Sequence, residues 1–152
     1  MTIWICKKFG ELTVEELYQV LRLRSEVFVV EQNCVFQDMD NKDQYCEHLM
    51  LWEEDKLLAY ARIVPPGISY GESSIGRIVS SPSSRGRGMG RELLTESISR
   101  LYRLHGKRII RIGAQYYLRD FYESFGFKQA GEIYLEDGIE HIEMLLITKE
   151  KI

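Results

Sequence analysis

Arg85-Gly86-Arg87-Gly88-Met89-Gly90 is the stretch that decides how this sequence folds and what it can bind. It lies between an apolar run at 75–79, typical of a buried strand, and a segment with helical periodicity at 91–105. Three glycines in five positions allow the backbone to approach a ligand closely and to point successive N–H groups in one direction. A helix that begins here adds unpaired N–H groups and a partial positive charge. The stretch therefore predicts an anion site, and a diphosphate is the usual ligand.

Two familiar glycine motifs do not fit this stretch. A P-loop requires Lys-Ser/Thr after its last glycine, whereas Gly90 precedes Arg91. A dinucleotide fingerprint requires Gly-x-Gly-x-x-Gly and an acid about 20 residues later, and basic residues occupy that distance here. The pattern that fits is Arg/Gln-x-x-Gly-x-Gly/Ala, with Arg85, Gly88 and Gly90 at the defined positions. It resembles the acetyl-CoA loop of the GCN5-related N-acetyltransferase (GNAT) superfamily; the alternative is a flexible glycine turn with solvated arginines.

Length and composition limit the kind of protein. The chain of 152 residues suits one domain over 1–152, and 45% hydrophobic with 28% charged residues is ordinary for a globular protein. A net charge of −3 gives no general attraction to nucleic acid or to an anionic membrane. No apolar run approaches the roughly 18 residues of a membrane span, and the N-terminus lacks a signal-peptide layout. Three cysteines, an odd number, indicate reduced thiols. We expect a cytoplasmic protein without a nucleic-acid or membrane partner.

The order of the predicted elements indicates an α/β fold. The predicted strands are 2–9, 48–52, 56–64, 72–79, 108–114, 127–134 and 140–148, and the predicted helices are 13–29, 91–105 and 117–125. The early strands form a meander and the later ones alternate with helices. This order predicts a mixed central sheet of about seven strands with helices on both faces, and it matches the GNAT topology over essentially the whole chain.

Two further stretches carry the resemblance. Residues 121–127 are Phe-Tyr-Glu-Ser-Phe-Gly-Phe, which resembles the GNAT signature Phe-Tyr-x-x-x-Gly-Phe at the right distance from the glycine-rich loop. Residues 23–34, Leu-Arg-Ser-Glu-Val-Phe-Val-Val-Glu-Gln-Asn-Cys, resemble the ElaA-like subgroup, whose substrate is poorly defined. One position departs from the family, because Gln115 stands where many members have Asn.

The resemblance implies acetyl-CoA as co-substrate. It places the cofactor diphosphate on the backbone N–H groups of the loop and pairs the pantetheine arm with the backbone of the preceding strand. For Ile78 and Val79 only the backbone is implicated, since their side chains are expected in the core. The residues predicted to contact the cofactor are Ile78, Val79, Arg85, Gly86, Arg87, Gly88, Met89, Gly90, Arg91 and Gln115.

Acetyl transfer also needs a neutral amine and a proton donor for the departing thiolate. A lysine-like amine has a pKa of about 10.4, so a base helps at pH 7. The candidate bases are Glu31, Asp38, Asp40, His48 and Glu72, with Glu31 and Glu72 preferred. The polar acidic loop at 36–47, with Asp38 and Asp40, and His48 directly after it are expected to hold a cationic acceptor; the alternative is solvated acids and a buried histidine. The resemblance assigns protonation of the thiolate to Tyr122, whose alternative is a purely packing role.

The leading interpretation is an acetyl-CoA-dependent N-acetyltransferase. It acts by direct attack in a ternary complex on a primary amine of a small molecule or peptide, and the chain is compatible with a homodimer. Two alternatives stay open: an acyltransferase of the same fold with another acyl-CoA or acyl-carrier donor, and a non-catalytic acyl-CoA sensor. No metal is expected, since Cys34 and Cys46-x-His48 lack a paired ligand spacing.

Overall fold

The computed structural model describes residues 1–148. Its strands are β1 (Thr2–Lys8), β2 (Glu47–Glu53), β3 (Lys56–Val64), β4 (Ser74–Ser80), β5 (Ile110–Gln115), β6 (Lys128–Gln129), β7 (Tyr134–Glu136) and β8 (Ile139–Leu146). Its α-helices are α1 (Val14–Arg24), α2 (Met89–His105) and α3 (Arg119–Glu123), and a π-helical segment, Ser25–Glu31, continues α1. The predicted domain, 1–152, includes residues 149–152, which lie outside the described residues.

The strands form two sheets that share a core and are joined by one backbone bridge among the described residues. β1, β2, β3 and β4 make an antiparallel sheet in that order, and β8 pairs with β5, β6 and β7 in a second antiparallel sheet. β4 and β5 run parallel, and the Arg111 N–H donates to the Ser73 carbonyl at 3.0 Å, beside an isolated bridge between Ser73 and Ile110. The mixed α/β fold predicted from the order of elements is confirmed, with two joined sheets in place of one.

Helices cover both faces of the first sheet because neighbouring residues of its strands point in opposite directions. In β2, Leu49 and Leu51 belong to a core that includes residues of α2. Met50 and Trp52 belong to a second core, which includes residues of α1. The fully buried run 49–51 in the printed sequence is therefore the middle layer of a three-layer structure.

α1 begins as the sequence predicts and then changes its winding. The Thr13 side chain accepts a hydrogen bond from the Glu16 N–H at 3.0 Å, and the Glu16 carboxylate accepts one from the Thr13 N–H at 2.8 Å. This capping box fixes the first turn. The predicted helix to about 29 is α-helical only to Arg24, because π-helical winding follows. Such winding often occurs at functional sites, and this segment borders the cavity described below.

The predicted strand at 127–134 is wrong in its middle. Only Lys128–Gln129 and Tyr134–Glu136 pair with β8. The Ala130 N–H still donates to the Glu143 carbonyl at 2.9 Å, but Gly131 and the exposed residues after it leave the ladder. Glycine has no side chain to pack in a strand, which favours a break at this position.

A buried ionic cluster ties α1 to the loop after the π-helical segment. Arg24 is 0% exposed; its Nε donates to Asp38 Oδ2 at 2.8 Å and its Nη1 to Asp43 Oδ1 at 2.8 Å. Burial opposes ionisation of Asp43, but the hydrogen bond and charge of Arg24 outweigh it and lower the pKa of this carboxyl. The arginine–aspartate cluster comprises Arg24, Asp38, Asp40, Asp43, Arg62 and Arg77.

The same cluster fastens the loop to β3 and β4. Arg62 of β3 donates to Asp40 through Nη1 and Nη2, at 2.8 and 2.9 Å, and to Asp43 at 2.9 Å. Arg77 of β4 pairs with Asp38 Oδ1 at 2.8 Å. Burial opposes the charge of Asp40, but Arg62 holds the pKa of this carboxyl well below its usual range. Three cations and three anions balance, so the cluster carries no net charge into the interior.

Asp43→Asn is expected to destabilise the fold, because it leaves Arg24 and Arg62 each without one charged partner in a buried site. We expect the free energy of unfolding in urea at pH 7 to fall by about 3 kcal/mol or more. Glu96→Gln is the control, since Glu96 pairs with Arg100 at 2.8 Å on the partly exposed surface of α2 and should cost less than about 1 kcal/mol. Similar small losses in both variants would contradict a structural role for the cluster.

Candidate active site

The divergence of β4 and β5 opens a cavity of about 800 Å³ between the two sheets. This volume is in the range of small-molecule sites. The cavity is lined by β4, β5, the π-helical segment and the loop after it, α3 with the turn before it, and the β7–β8 hairpin. Beyond the bridge at Ser73, the described residues form no further ladder between β4 and β5. The edge of β4 that faces the cavity is thus free to pair with an extended ligand.

A β-bulge in β4 shapes the cavity wall. Arg77 and Ile78 together lie opposite Ala61 of β3, where a regular ladder would have one residue. Arg77 has a φ of 51°, a left-handed conformation that is costly for a side chain of this size. Its guanidinium donates to the Asp38 carbonyl oxygen at 2.9 Å as well as pairing with the Asp38 carboxylate. The arginine–aspartate cluster therefore holds the bulge in place beside the cavity.

The glycine-rich loop has the geometry of an anion site. Gly86 and Gly88 have φ values of 85° and 70°, which favour glycine, and Gly88 is the N-cap of α2. The first backbone bond of the helix runs from the Glu92 N–H to the Gly88 carbonyl. Within residues 1–148, none of the N–H groups of 86–91 donates a hydrogen bond. Six successive free donors at the start of a 17-residue helix suit a diphosphate.

The arginines around the loop have different roles. Arg85 lines the cavity and pairs with Glu31 at 2.7 Å, both side chains being partly exposed. Arg91 instead donates to the Ser124 hydroxyl at 2.9 Å, which links α2 to the end of α3. Arg87 is exposed. The cation that the cavity itself contains at this end is therefore Arg85.

Tyr122 of α3 presents an unpartnered hydroxyl to the cavity. Its ring packs edge-on against Phe121 and Phe127, with centroid distances of 5.3 and 5.8 Å. The residue is 6% exposed, yet its hydroxyl has no hydrogen-bond partner in the part of the chain that the structure describes. Burial raises the pKa of the Tyr122 phenol, so it stays protonated at pH 7. The ring therefore packs in the core while the hydroxyl is free to donate, and protonation of the thiolate by Tyr122 stays a prediction.

The two preferred candidate bases lie in different places. Glu31 lines the cavity, on the side of the glycine-rich loop, where it pairs with Arg85. Glu72 is not part of the cavity lining. Arg111 donates to its carboxylate oxygens through Nε and Nη2, both at 3.1 Å. The hydrogen bond and charge of Arg111 lower the pKa of Glu72, which makes it a weaker base. The cavity therefore brings Glu31, and not Glu72, near the predicted cofactor residues.

Asp38 and Asp40 of the acidic loop are already paired with arginines from α1, β3 and β4. Asp38 is buried against Arg24 and Arg77, and Asp40 lines the cavity while bound to Arg62. A carboxylate already paired in this way is not an open site for a substrate cation. We therefore leave Asp38 out of the proposed acceptor site and treat Asp40 as part of the cavity wall.

His48 is held as a neutral ring inside the core. The Asp43 carbonyl can only accept, so His48 Nε2 donates to it at 2.9 Å, and Nδ1 then accepts from the Tyr60 hydroxyl at 2.7 Å. The residue is 1% exposed and is not part of the cavity lining. Its predicted alternative, a satisfied buried histidine, describes its place in the structure.

Gln115 lies at the end of β5, on the cavity, and its amide donates to Gln32 at 3.3 Å. This contact joins β5 to the end of the π-helical segment. A contact between this amide and the cofactor, which the resemblance implies, stays a prediction.

Sequence reasoning missed a group of cavity residues on β5, β7, β8 and the segment before β4. They are Tyr70, Gly113, Tyr134, Glu136 and His141. The sequence gives only a weak indication of them. His141 occupies an alternating position of the predicted last strand, and the place of the other four becomes clear only once the strands are paired.

The structure holds little support for metal or thiol chemistry. Residues 1–148 contain no group of three or more His, Cys, Asp and Glu side chains placed to ligate a metal. Burial raises the pKa of the Cys46 thiol to about 11, which makes it a poor nucleophile at pH 7. Among the helices of these residues, none combines the length and apolarity needed to cross a bilayer.

Comparison with known proteins agrees with this geometry. Residues 11–148 match the family described as "Acetyltransferase (GNAT) domain". Protein ElaA of Escherichia coli (strain K12) is 40% identical over 146 residues, which cover 95% of each chain. Among solved structures, an acyl-CoA N-acyltransferase from Pseudomonas aeruginosa has a TM-score of 0.91 at 41% identity, and Escherichia coli ElaA one of 0.88 at 39%; both comparisons cover 95% of this chain and 99% of the other.

The joined but diverging sheets and the open glycine-rich loop define an acyltransferase of the GNAT fold. The chain belongs to the GNAT acetyltransferase family, and its resemblance to the ElaA-like subgroup is confirmed.

The neutral His48 predicts that acidification destabilises the protein. Burial lowers the pKa of His48 in the folded state, below the ordinary value of about 6.5. Between the two pKa values the unfolded chain binds the extra proton. The free energy of unfolding should therefore fall as the pH drops below about 6.5, by at most about 1.4 kcal/mol per pH unit for this group.

Urea unfolding between pH 7.5 and 5.5 measures this slope. His48→Gln keeps a donor for the Asp43 carbonyl and removes the titration, so its slope should be flatter. Equal slopes in both proteins would show that another group controls stability in this range.

Proposed function

We propose that the protein transfers an acetyl group from acetyl-CoA to a primary amine of a small molecule or peptide. One observation carries the proposal: an unpaired edge of β4 and the free Tyr122 hydroxyl border the same opening between the sheets, and the loop of free N–H groups at 86–91 directly follows Arg85, which also lines this opening. These are the three things that a long, phosphorylated thioester requires: an anion site, a backbone to pair with, and a proton donor near the sulfur.

The proposed cofactor site follows the direction of the chain from β4 to α2. The N–H groups of 86–91 take the diphosphate, and Arg85 adds a side-chain cation. The backbone of Ile78 and Val79 pairs with the pantetheine arm as an added strand would. Arg87 and Arg91 raise the positive potential around the loop, and Gln115 supplies an amide on the opposite wall.

In the proposed reaction, donor and acceptor are bound together and the amine attacks the thioester directly. Tyr122 then donates its proton to the departing sulfur. The buried phenol is protonated at pH 7, so its hydroxyl has a proton to give when the thiolate forms. A thiol of pKa about 8.5 is a fair leaving group, so the tyrosine accelerates the step without being indispensable.

A longer acyl-CoA is the second candidate donor. The volume of the cavity, about 800 Å³, leaves room beyond an acetyl group, and a similar solved structure is described as an acyl-CoA N-acyltransferase. Mass spectrometry of the products formed from equimolar acetyl-CoA and longer acyl-CoA distinguishes the two donors.

An acyl-CoA sensor without activity is less well supported, because sensing alone has no use for an unpartnered hydroxyl. A cytoplasmic location and a homodimer stay predictions.

Gly90→Asp is expected to abolish acetyl-CoA binding measured by calorimetry, because it sets a side chain and a negative charge against the diphosphate. Gly90 is the suitable position since its φ is not left-handed and a Cβ there would lie 3.8 Å from the Phe121 ring, an ordinary contact. Gly10→Asp is the control, because Gly10 is exposed, away from the cavity and equally free of close neighbours. Unchanged affinity in a folded Gly90→Asp protein would contradict the assignment of the loop.

Tyr122→Phe is expected to lower kcat by roughly 10²-fold with little change in acetyl-CoA affinity, because the ring remains and only the proton donor is lost. The melting temperature should barely move, since the hydroxyl gives up no hydrogen bond. Tyr102→Phe, which removes a hydroxyl bonded to Thr148 away from the cavity, should leave kcat unchanged. A wild-type kcat in Tyr122→Phe would remove this residue from the mechanism.

A further inference from the structure

One wall of the cavity carries polar groups that the proposed function does not yet use. Most of them lie across the opening from β4, on one face of the second sheet, and Tyr70 reaches them from the segment before β4. Strand pairing explains their proximity: His141 of β8 lies opposite Gln115 of β5 on one side and Tyr134 of β7 on the other. Directly paired residues share a face, so these side chains all point away from the core residues Ile112 and Ile142. The His141 cluster comprises Tyr70, Gly113, Tyr134, Glu136 and His141.

Two tyrosine hydroxyls converge beside Gly113 of β5, where there is no side chain. A Cβ built on Gly113 would lie 2.7 Å from the Tyr134 hydroxyl and 2.9 Å from the Tyr70 hydroxyl. A side chain at this position would therefore occupy the place where the hydroxyls converge. Burial raises the pKa of both phenols, so they are neutral groups that donate and accept hydrogen bonds.

The orientation and tautomer of His141 follow from its contacts. Nδ1 lies 2.8 Å from the Ile139 carbonyl, which can only accept, so Nδ1 carries the hydrogen and Nε2 of the neutral ring holds the lone pair. The ring is 7% exposed and packs against Tyr134 with centroids 5.7 Å apart. Glu136 Oε2 is 3.4 Å from Nε2, where it can accept from the protonated ring. Tyr134 and Glu136, both from β7, are the titratable groups facing the ring, and Gln115 is uncharged.

We propose that the His141 cluster is the acceptor site and that His141 Nε2 takes the proton from the acceptor ammonium, directly or through a water. The inference rests on the proposed function. It adds to that function an acceptor class: a primary alkylammonium that hydrogen-bonds to the tyrosine hydroxyls and lies near the Glu136 carboxylate.

The proton balance uses one group on each side of the thioester. An N–H bond of the ammonium breaks and its proton goes to Nε2, which leaves a neutral amine. The amine nitrogen attacks the carbonyl carbon; the C–N bond forms, the C–S bond breaks, and the sulfur takes the Tyr122 proton. The second proton lost by the nitrogen restores Tyr122 through solvent, and His141 releases its proton to water. One ammonium and one thioester thus give one amide, one thiol and one proton.

His141→Asn is the direct test, because the Asn amide can still donate to the Ile139 carbonyl while the proton acceptor is lost. At pH 7 and saturating acetyl-CoA, kcat/KM for an alkylamine should fall about 10²-fold or more, with acetyl-CoA affinity unchanged. The deficit should shrink as the pH rises toward the pKa of the amine, about 10.4, because the acceptor is then neutral without help. A merely structural role would not produce this recovery.

Two further variants complete the test. Glu136→Gln keeps Nε2 and should lower kcat/KM by less than about tenfold, as expected for a carboxylate that lies near the ammonium and the ring but does not take the proton. Gly113→Ala displaces only the ends of two flexible side chains, so the protein should fold, and the acceptor KM should rise while acetyl-CoA affinity stays the same.

The outcomes separate the two proposals. Wild-type protein that acetylates none of a panel of primary amines overturns the proposed function and this inference with it. Active wild-type protein with His141→Asn within twofold of it at every pH overturns the inference alone. Equal losses of amine turnover and acetyl-CoA affinity in His141→Asn and Gly113→Ala also overturn it, since they indicate general damage to the cavity.

Discussion

The hydrogen bond from the Arg111 N–H to the Ser73 carbonyl is the point from which the site is built. It joins the two sheets at the beginning of two parallel strands, and among residues 1–148 the sheets share no further ladder. Parallel strands that are paired at one end and twisted in different sheets must separate at the other end. The separation leaves backbone groups of β4 without partners in a protein interior, where such groups are costly. A ligand with amide groups of its own satisfies them, so the opening favours a molecule that can behave as a strand.

The arginine–aspartate cluster maintains this opening. A left-handed Arg77 in the middle of a strand costs of order 1–3 kcal/mol and persists only if the surroundings hold it. Asp38 does so from the loop, and Arg24 and Arg62 in turn fix the loop. The acids that an unpaired charge pattern would assign to substrate binding are thus structural. Because these acids are paired, the proposed acceptor site is on the opposite wall of the cavity.

Local patterns could be predicted from the sequence, and contacts between distant segments could not. The glycine-rich loop and the Phe-Tyr segment are each contained in a few residues, so the order of strand, loop and helix and the position of Tyr122 followed directly. The roles of Asp38 and Glu72 depend on arginines that lie 14 or more positions away along the chain, and a charge pattern does not reveal the partner. His141 depends on strand register, which a single sequence specifies only through alternation. The strand at 127–134 failed for a local reason, because Gly131 interrupts it.

Alternation along β5 accounts for the separation of Tyr122 and His141, the two groups that we propose to transfer protons. Ile112 and Ala114 point to the core that contains Tyr122, whereas Gly113 and Gln115 point to the face that carries His141. A thioester that crosses the edge of β5 therefore has one side toward the tyrosine and the other toward the histidine. The proposed acid and the proposed base therefore lie on different sides of this strand. In the proposed mechanism the same strand thus separates the acid from the base, and glycine at position 113 leaves room for the two tyrosine hydroxyls of the proposed acceptor site.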